Sequence, residues 1–150
     1  MVQGSGHFIH GHTYAGNPLS TAIGSCVLKI IKREGYIANS AKQGKYLADK
    51  LKGLSELNLV GDIRGKGLMW GLEFVKDKKT KEPFNPKEKI KDKVMQACFD
   101  NGLIIYPGGG AVDGINGDHI LIAPPLNITK EEIDILYSRL EKSLSNLGLF

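Results

Sequence analysis

The first third of the chain carries two stretches in which apolar residues recur every three or four positions, the spacing of one helix face. The first stretch ends at Gly35 and places five apolar residues on one side: Leu19, Ile23, Val27, Ile30 and Ile31. Asn17 offers a capping side chain and Pro18 suits the first helical position, so a helix of about four turns is predicted. The second stretch runs from Tyr36 to Leu51, with an apolar side made of Ile37, Ala41, Gly44, Leu47, Ala48 and Leu51.

From Leu57 onward, short apolar runs separated by glycines replace the helical spacing. Glycines at 61, 65, 67 and 71 divide the segment LNLVGDIRGKGLMWGLEFV, which predicts two strands joined by a tight turn in an antiparallel hairpin. The charged, proline-bounded segment from Lys76 to Pro86 is expected to be a surface excursion at the far end of that hairpin. The runs LIIYP (103–107) and HILIAPP (119–125) are predicted to be short buried strands on either side of a glycine-rich loop.

Two more helices complete the predicted order of elements. One covers Pro86 to Asn101, with a core stripe of Ile90, Val94, Ala97 and Cys98. The other follows Thr129, which forms a capping box with Glu132, and its inward residues are Ile133, Leu136, Leu140 and Leu144. After residue 35 the order is therefore α-β-β-α-β-β-α. This order predicts a two-layer α+β domain with helices on one face of a small, mainly antiparallel sheet.

Composition and charge narrow the possible functions. The 150 residues, 41% hydrophobic, suffice for one modest domain or for one domain and a piece of another. The net charge of +4 comes mainly from lysines spread along the chain, and arginine occurs only at 33, 64 and 139, so we expect no nucleic-acid partner. The apolar runs are far shorter than a membrane span and the start lacks a secretory pattern, so we expect a cytoplasmic protein. Cys26 and Cys98 lack the spacing of a metal or redox pair and are expected to be reduced and buried.

Three histidines stand close together in the segment HFIHGH (7–12). Imidazoles at short spacing can share a zinc ion. However, cysteines and carboxylates are absent from this segment, and a catalytic zinc needs a third ligand held in place by surrounding groups. We therefore expect no metal site here.

The segment from Gly11 to Pro18 combines a threonine hydroxyl, flexible glycine N–H groups and the start of a helix. The free N–H groups and the dipole at a helix N-terminus favour an anion, and phosphate is the natural ligand. The spacing supports an ordinary capped loop equally well. Taken alone, the segment leaves both interpretations open.

Three other features are weaker candidates for a catalytic or binding role. The loop PGGG (107–110) matches neither a Walker loop nor a dinucleotide fingerprint, and we expect a connection whose backbone passes close to other groups. Asp118 and His119 are expected to cap or bond neighbouring backbone, because the chain shows no nucleophile elbow that would complete a triad. Arg64 lies in a predicted glycine-rich turn, where it either ties down its own loop, which we favour, or pairs with a substrate carboxylate.

Four blocks stand out when the chain is taken as a whole: GSGHFIHGHTYAGNPL, DIRGKGLMWGLEF, GLIIYPGGG and GDHILIAPPLNITKEEID. In order and spacing they resemble the C-terminal part of the class III aminotransferases, which are pyridoxal-phosphate enzymes of fold type I. The resemblance covers essentially the whole chain. It implies that residues 1–35 end the large cofactor-binding domain, and that residues 36–150 form the small C-terminal domain that closes over the substrate.

The resemblance also assigns a site and a reaction. It implies that Thr13 contacts the phosphate of pyridoxal 5'-phosphate bound in the neighbouring subunit of a homodimer, with His12 and Tyr14 in support. The intact enzyme would move an amino group from an amine or amino acid to a 2-oxo acid.

The resemblance further implies what the chain lacks. The family's Schiff-base lysine, and the aspartate that holds the pyridine nitrogen protonated, lie upstream of the HGxTY block, whereas the first lysine here is Lys29. We therefore assign no catalytic residue and expect this chain alone to be inactive.

The resemblance also bears on the substrate. Amino-acid-specific members of the family often carry an arginine where this chain has Leu121. Amine-type members often carry an arginine near residues 114–116, which read GIN here. The group that would bind a substrate carboxylate is therefore left open.

Two other interpretations stay open. In one, the chain is a non-catalytic α+β module or a truncated gene product, which binds a partner through an exposed apolar surface. In the other, a separate polypeptide supplies the missing lysine.

Overall fold

The computed structural model describes residue 4, residue 6 and residues 10–147. The chain divides into two compact units, one up to Gly35 and the other from Tyr36 onward. Among the described residues, no helix is both long and apolar enough to cross a bilayer.

The first unit is built on one helix, α1 (Pro18–Arg33), which begins as its local sequence predicts. The Asn17 side chain accepts a hydrogen bond from the backbone N–H of Ser20 at 3.1 Å, and Pro18 occupies the first turn. None of the residues of α1 is buried, so the predicted apolar stripe, including Leu19 and Ile23, is largely exposed in this chain. The helix therefore owes its start to capping and proline signals that act within a few residues.

The two cysteines differ in environment. Cys98 is buried and unpaired, as expected, and burial raises the pKa of its thiol, so the nucleophilic thiolate is disfavoured. The expectation that Cys26 is also buried is wrong: Cys26 is exposed, because it lies on α1, which has no buried residue.

The second unit contains the remaining elements in the predicted order α-β-β-α-β-β-α. They are α2 (Tyr36–Leu51), a 3-10 helix (Lys52–Glu56), β1 (Val60–Lys66), β2 (Met69–Phe74), a 3-10 turn (Pro86–Glu88), α3 (Ile90–Asp100), β3 (Tyr106–Gly108), β4 (Asp118–Ile122) and α4 (Lys130–Ser145). The 3-10 helix at Lys52–Glu56 continues directly from α2. The helix predicted from Pro86 begins only at Ile90, because Lys89 has a left-handed φ of 53° that separates the turn at Pro86–Glu88 from α3. The α+β class and the main elements are confirmed.

The four strands form one sheet in the order β1-β2-β4-β3, and all neighbouring strands are antiparallel. The strand predicted at 103–107 is shorter and lies later, because the backbone N–H of Leu103 donates to the Cys98 carbonyl at the end of α3, which keeps that residue out of the ladder. Its predicted burial is also wrong, since Ile104 and Tyr106 are exposed and β3 is an outer strand. β4 ends at Ile122, before two prolines that have no N–H to donate.

The core lies between the helices and one face of the sheet. Alternate residues of the two central strands, Leu72 and Phe74 of β2 and Ile120 and Ile122 of β4, are buried. They meet buried side chains from the three helices: Leu47, Leu51, Ile90, Val94, Cys98, Ile133, Leu136, Leu140 and Leu144. The predicted inward residues of the last helix are confirmed, whereas Ile37 of α2 is 75% exposed.

The last helix is capped as its sequence predicts. The hydroxyl of Thr129 accepts from the backbone N–H of Glu132 at 3.2 Å, and the Glu132 carboxylate accepts from the backbone N–H of Thr129 at 2.8 Å. Both bonds of the capping box are therefore present, and they fix the start of α4 against the core.

Candidate functional site

Residues 12–17, which include the predicted cofactor residues, form consecutive turns directly ahead of α1. The backbone N–H of Ala15 donates to the His12 carbonyl at 2.9 Å, and the N–H of Asn17 donates to the Tyr14 carbonyl at 3.1 Å. Gly16 has a φ of 72°, a left-handed conformation that glycine adopts readily. These turns bring His12, Thr13 and Tyr14 to the entrance of the helix, and all three side chains are exposed.

The charge around this loop suits an anion. Acidic residues are absent from the sequence before Glu34, and the positive end of the α1 dipole lies next to the loop. Among the described residues, the Thr13 hydroxyl has no hydrogen-bond partner, so it can donate to a ligand. One of the backbone N–H groups at the start of α1 is already used, because that of Ser20 donates to the Asn17 side chain. These features fit a phosphate group. The assignment of Thr13, His12 and Tyr14 to the cofactor stays a prediction.

The histidine segment is described only in part. The rings of His10 and His12 meet edge to face with their centroids 4.8 Å apart, and His7 lies outside the described residues. Within the part of the chain that the structure covers, no three His, Cys, Asp or Glu side chains come together as a metal site would require.

A second candidate is a cleft of about 490 Å³ on the face of the sheet opposite the helices, which we call the open face. Cross-strand pairing places Arg64, Gly71, Leu121 and Tyr106 in one row across the four strands. Gly71 has no side chain, so a gap separates Arg64 from Leu121, and the cleft occupies it. Tyr106 at the end of the row is 70% exposed.

Arg64 lies on β1, so its predicted place in a turn is wrong, because the strand continues to Lys66. Its Nη1 donates to Glu73 on β2 at 2.8 Å and also to Asp62 two residues earlier. The hydrogen bond to Glu73, followed by that to Asp62, raises the pKa of Arg64 above its usual value, so the guanidinium stays charged. These two carboxylates already balance its charge, which favours the structural role over the capture of a substrate carboxylate.

Asp118 and His119 point to opposite sides of β4 and do not form a dyad. Asp118 accepts a hydrogen bond from the backbone N–H of Lys91 at 3.2 Å, so it caps the first turn of α3, as expected. The His119 side chain lies on the open face opposite Glu73 of the neighbouring strand. Its Nδ1 is buried and lacks a hydrogen-bond partner among the described residues.

The position of the His119 ring explains why residue 108 of the PGGG loop is a glycine. A Cβ added to Gly108 would lie 2.3 Å from the Nε2 atom of His119, closer than side chains pack. The expectation that the backbone of this loop passes close to another group is therefore confirmed. The identity of that group was missed, because the pairing of Gly108 with His119 depends on the register of β3.

The loop between β3 and β4 carries no cationic side chain at residues 114–116. Asp113 holds it, accepting from the backbone N–H groups of Ile115 and Asn116 at 2.9 and 2.7 Å. The hydrogen bond from the Asn116 N–H, followed by those from the Asn116 side chain and the Ile115 N–H, lowers the pKa of Asp113, so the carboxylate stays ionised. A substrate carboxylate would find no positive partner on this loop.

Comparison with known proteins places these features in one family. The family model described as "Aminotransferase class-III" matches residues 1–144. An aminotransferase of Gibberella zeae is 42% identical over 96% of this chain, which corresponds to 29% of the relative. The structure of a Bacillus anthracis aminotransferase matches with a TM-score of 0.79 at 39% identity, covering 96% of this chain and 32% of that one. A pyridoxal-phosphate-bound aminotransferase mutant from Vibrio fluvialis matches with a TM-score of 0.79 at 30% identity, again over 96% of this chain and 30% of that one.

The chain belongs to the class-III aminotransferase family. It spans about 30% of the length of the relatives it matches. The family resemblance drawn from the four sequence blocks is confirmed, as is the α+β fold.

Proposed function

We propose that this chain supplies the cofactor-phosphate loop and the small domain of a transaminase that moves an amino group from an amine or amino acid to a 2-oxo acid. The observation that carries the proposal is the family match, which runs through both compact units from the HGHTY loop to α4. In this proposal residues 1–35 end the large domain and residues 36–150 form the small domain. The exposed apolar stripe of α1 supports that assignment, since a large domain would cover it.

The proposed cofactor is pyridoxal 5'-phosphate, which the Vibrio fluvialis relative carries. When bound, its ring serves as an electron sink for the amino-group transfer. The Thr13 hydroxyl, with its free donor, would bind the phosphate across the interface of a homodimer, and His12 and Tyr14 would hold the loop in place. The dipole of α1 and the absence of acidic residues before Glu34 would lower the free energy of the bound phosphate.

The lysine that attaches the cofactor covalently lies, in this proposal, outside these 150 residues. The purified chain, incubated with pyridoxal phosphate and then reduced with borohydride, is expected to carry either no label or a low label spread over many exposed lysines. Peptide mass spectrometry locates the label. Stoichiometric labelling of one lysine, or transamination at a rate proportional to the concentration of the chain, would contradict the proposal.

The role of Thr13 is testable in a chimera in which this chain replaces the matching 32% of the Bacillus anthracis aminotransferase. Thr13→Ala is expected to weaken pyridoxal-phosphate binding roughly tenfold or more, because it removes a hydrogen bond to a charged phosphate. Thr21→Ala is the matched control, since the Thr21 hydroxyl donates to the backbone carbonyls of Asn17 and Pro18. Equal affinity of the two variants for the cofactor would remove Thr13 from the phosphate site. Failure of the parent chimera to bind the cofactor would instead favour the non-catalytic module.

A further inference from the structure

We propose that the second unit holds a separate site for a small organic molecule bearing a phosphate group. The site is a pocket of about 550 Å³ between the end of α2, the start of β1 and the turn after β2. We call it the lysine pocket, because its rim carries Lys52, Lys78 and Lys81. The open-face cleft shares Trp70 with this pocket but none of these three lysines, so the lysines distinguish the two.

The turn that presents two of these lysines is held by its own hydrogen bonds. The backbone N–H of Lys76 donates to the Glu82 carbonyl at 2.8 Å. The Asp77 carboxylate accepts from the N–H groups of Lys79 and Thr80 at 2.8 and 2.7 Å. The Thr80 N–H, followed by the Thr80 hydroxyl and the Lys79 N–H, lowers the pKa of Asp77, so the carboxylate stays ionised.

Lys78 and Lys81 are anchored without being neutralised. The Lys81 ammonium donates to the Gly61 carbonyl at 2.7 Å, and the Lys78 ammonium donates to the Ser55 carbonyl. Each ammonium has three donors and uses one of them here. Among the described residues neither lysine forms an ion pair, whereas Lys52 pairs with Asp49. Two positive charges with free donors are therefore already positioned at the rim, which lowers the entropic cost of binding an anion.

The charge balance of the lining favours an anion. Asp62 is the one carboxylate among the described residues of the lining, and Arg64 pairs with it. The lining side chains therefore carry three positive charges and one negative charge. A phosphate group has several strong acceptor oxygens for ammonium donors, so it suits this rim better than a single neutral acceptor does.

The floor of the pocket is apolar, which selects an organic phosphate over a bare ion. The apolar residues of its lining are Ala48, Val60, Ile63 and Trp70. The indole N–H of Trp70 donates to the Gly67 carbonyl at 2.8 Å, which fixes the ring and leaves its carbon surface for packing. A ligand with a flat or aliphatic body and a phosphate at one end would contact both the floor and the rim.

Phenyl phosphate is the minimal probe of this site, and Trp70, the chain's single tryptophan, is a built-in reporter. Titration of the full chain is expected to change tryptophan fluorescence saturably. Phenol lacks the phosphate that the lysines would bind, and inorganic phosphate lacks the ring that the apolar residues would contact. Each is expected to bind at least about tenfold more weakly than phenyl phosphate. No saturable change with phenyl phosphate up to about 10 mM, or equally tight binding of phenol, would overturn the proposal.

Matched variants locate the binding. Lys78→Gln combined with Lys81→Gln is expected to weaken phenyl phosphate binding about tenfold or more, because two charge-assisted contacts are lost. Lys79→Gln removes one positive charge from the same turn without touching the lining and is expected to keep the affinity. Unchanged affinity in the double variant overturns the proposal, as does a loss in Lys79→Gln equal to that in the double variant.

The unaltered protein supplies a test that does not depend on the folding of any variant. Because the rim contacts are ionic, the dissociation constant for phenyl phosphate is expected to rise steadily with added sodium chloride. A constant affinity across that range would show that the lysines do not hold the ligand.

Discussion

Gly44→Ala is expected to destabilise the second unit by about 3 kcal/mol, although alanine is the better helix former. Gly44 is buried on α2 where the helix meets the turn between β1 and β2. A Cβ at this position would lie 2.2 Å from the Gly67 carbonyl oxygen and 2.6 Å from the Gly67 Cα. Both obstacles are backbone atoms, so rotation of a side chain cannot relieve the clash, and the helix and hairpin must separate.

Urea unfolding followed by circular dichroism measures this cost. Gly71→Ala is the matched control, because its added Cβ would find its nearest heavy atom at 3.6 Å, an ordinary contact. We expect the control to change the free energy of unfolding by no more than about 1 kcal/mol. A Gly44→Ala variant as stable as the unaltered chain would show that α2 does not lie against the hairpin turn in this way.

Phe74→Ala is expected to lower the free energy of unfolding by about 3 to 5 kcal/mol. Phe74 is the largest of the fully buried side chains and lies at the end of β2, between β1 and β4 in the sheet. Removal of the Phe74 ring leaves a cavity between the helices and the sheet. Because the helices and the neighbouring strands are held in place, the adjacent side chains can fill this cavity only in part.

Phe99→Ala serves as the control for the Phe74 prediction, since Phe99 on α3 is 65% exposed. The same side chain removed from the surface is expected to cost about 0.5 kcal/mol or less. If Phe74→Ala and Phe99→Ala unfolded at similar urea concentrations, Phe74 would not be a core residue.

The fold was predictable where local signals and periodicity agree. The limits of α1 follow from Asn17, Pro18 and Gly35, and those of α2 from its apolar spacing. Periodicity also placed Ile37 on the inner side of α2, where it is exposed, because spacing tells which residues share a side and not how far along the helix the packing extends. The third strand was misplaced because a hydrogen bond from Leu103 to the end of α3 competes with the sheet.

The candidate site was predictable only in part, because much of it depends on register. Arg64 and Glu73 are 9 residues apart in sequence, and their ion pair exists because the hairpin places Arg64 opposite Gly71. The nearness of His119 to Gly108 likewise needs the pairing of β3 with β4. Thr13 is different: a hydroxyl ahead of a helix start is visible in the sequence, but a capped loop carries the same signal.

The lysine pocket shows another limit. The segment from Lys76 to Pro86 was predicted as a surface excursion, and its residues do lie at the surface. The spacing of charges does not reveal that Lys78 and Lys81 turn back to the carbonyls of Ser55 and Gly61, more than 19 residues earlier in sequence. Those contacts follow from the closed turn between Lys76 and Glu82.

The two outer strands of the sheet are poor templates for additional strands. On one side, β3 has three residues, and Pro107 at its centre has no N–H to offer an incoming chain. On the other side, β1 is interrupted by a register shift between Val60 and Asp62 and ends with the charged Lys66. Neither border presents a long, flat row of free backbone groups, so the sheet is protected from growing into fibrils by strand addition.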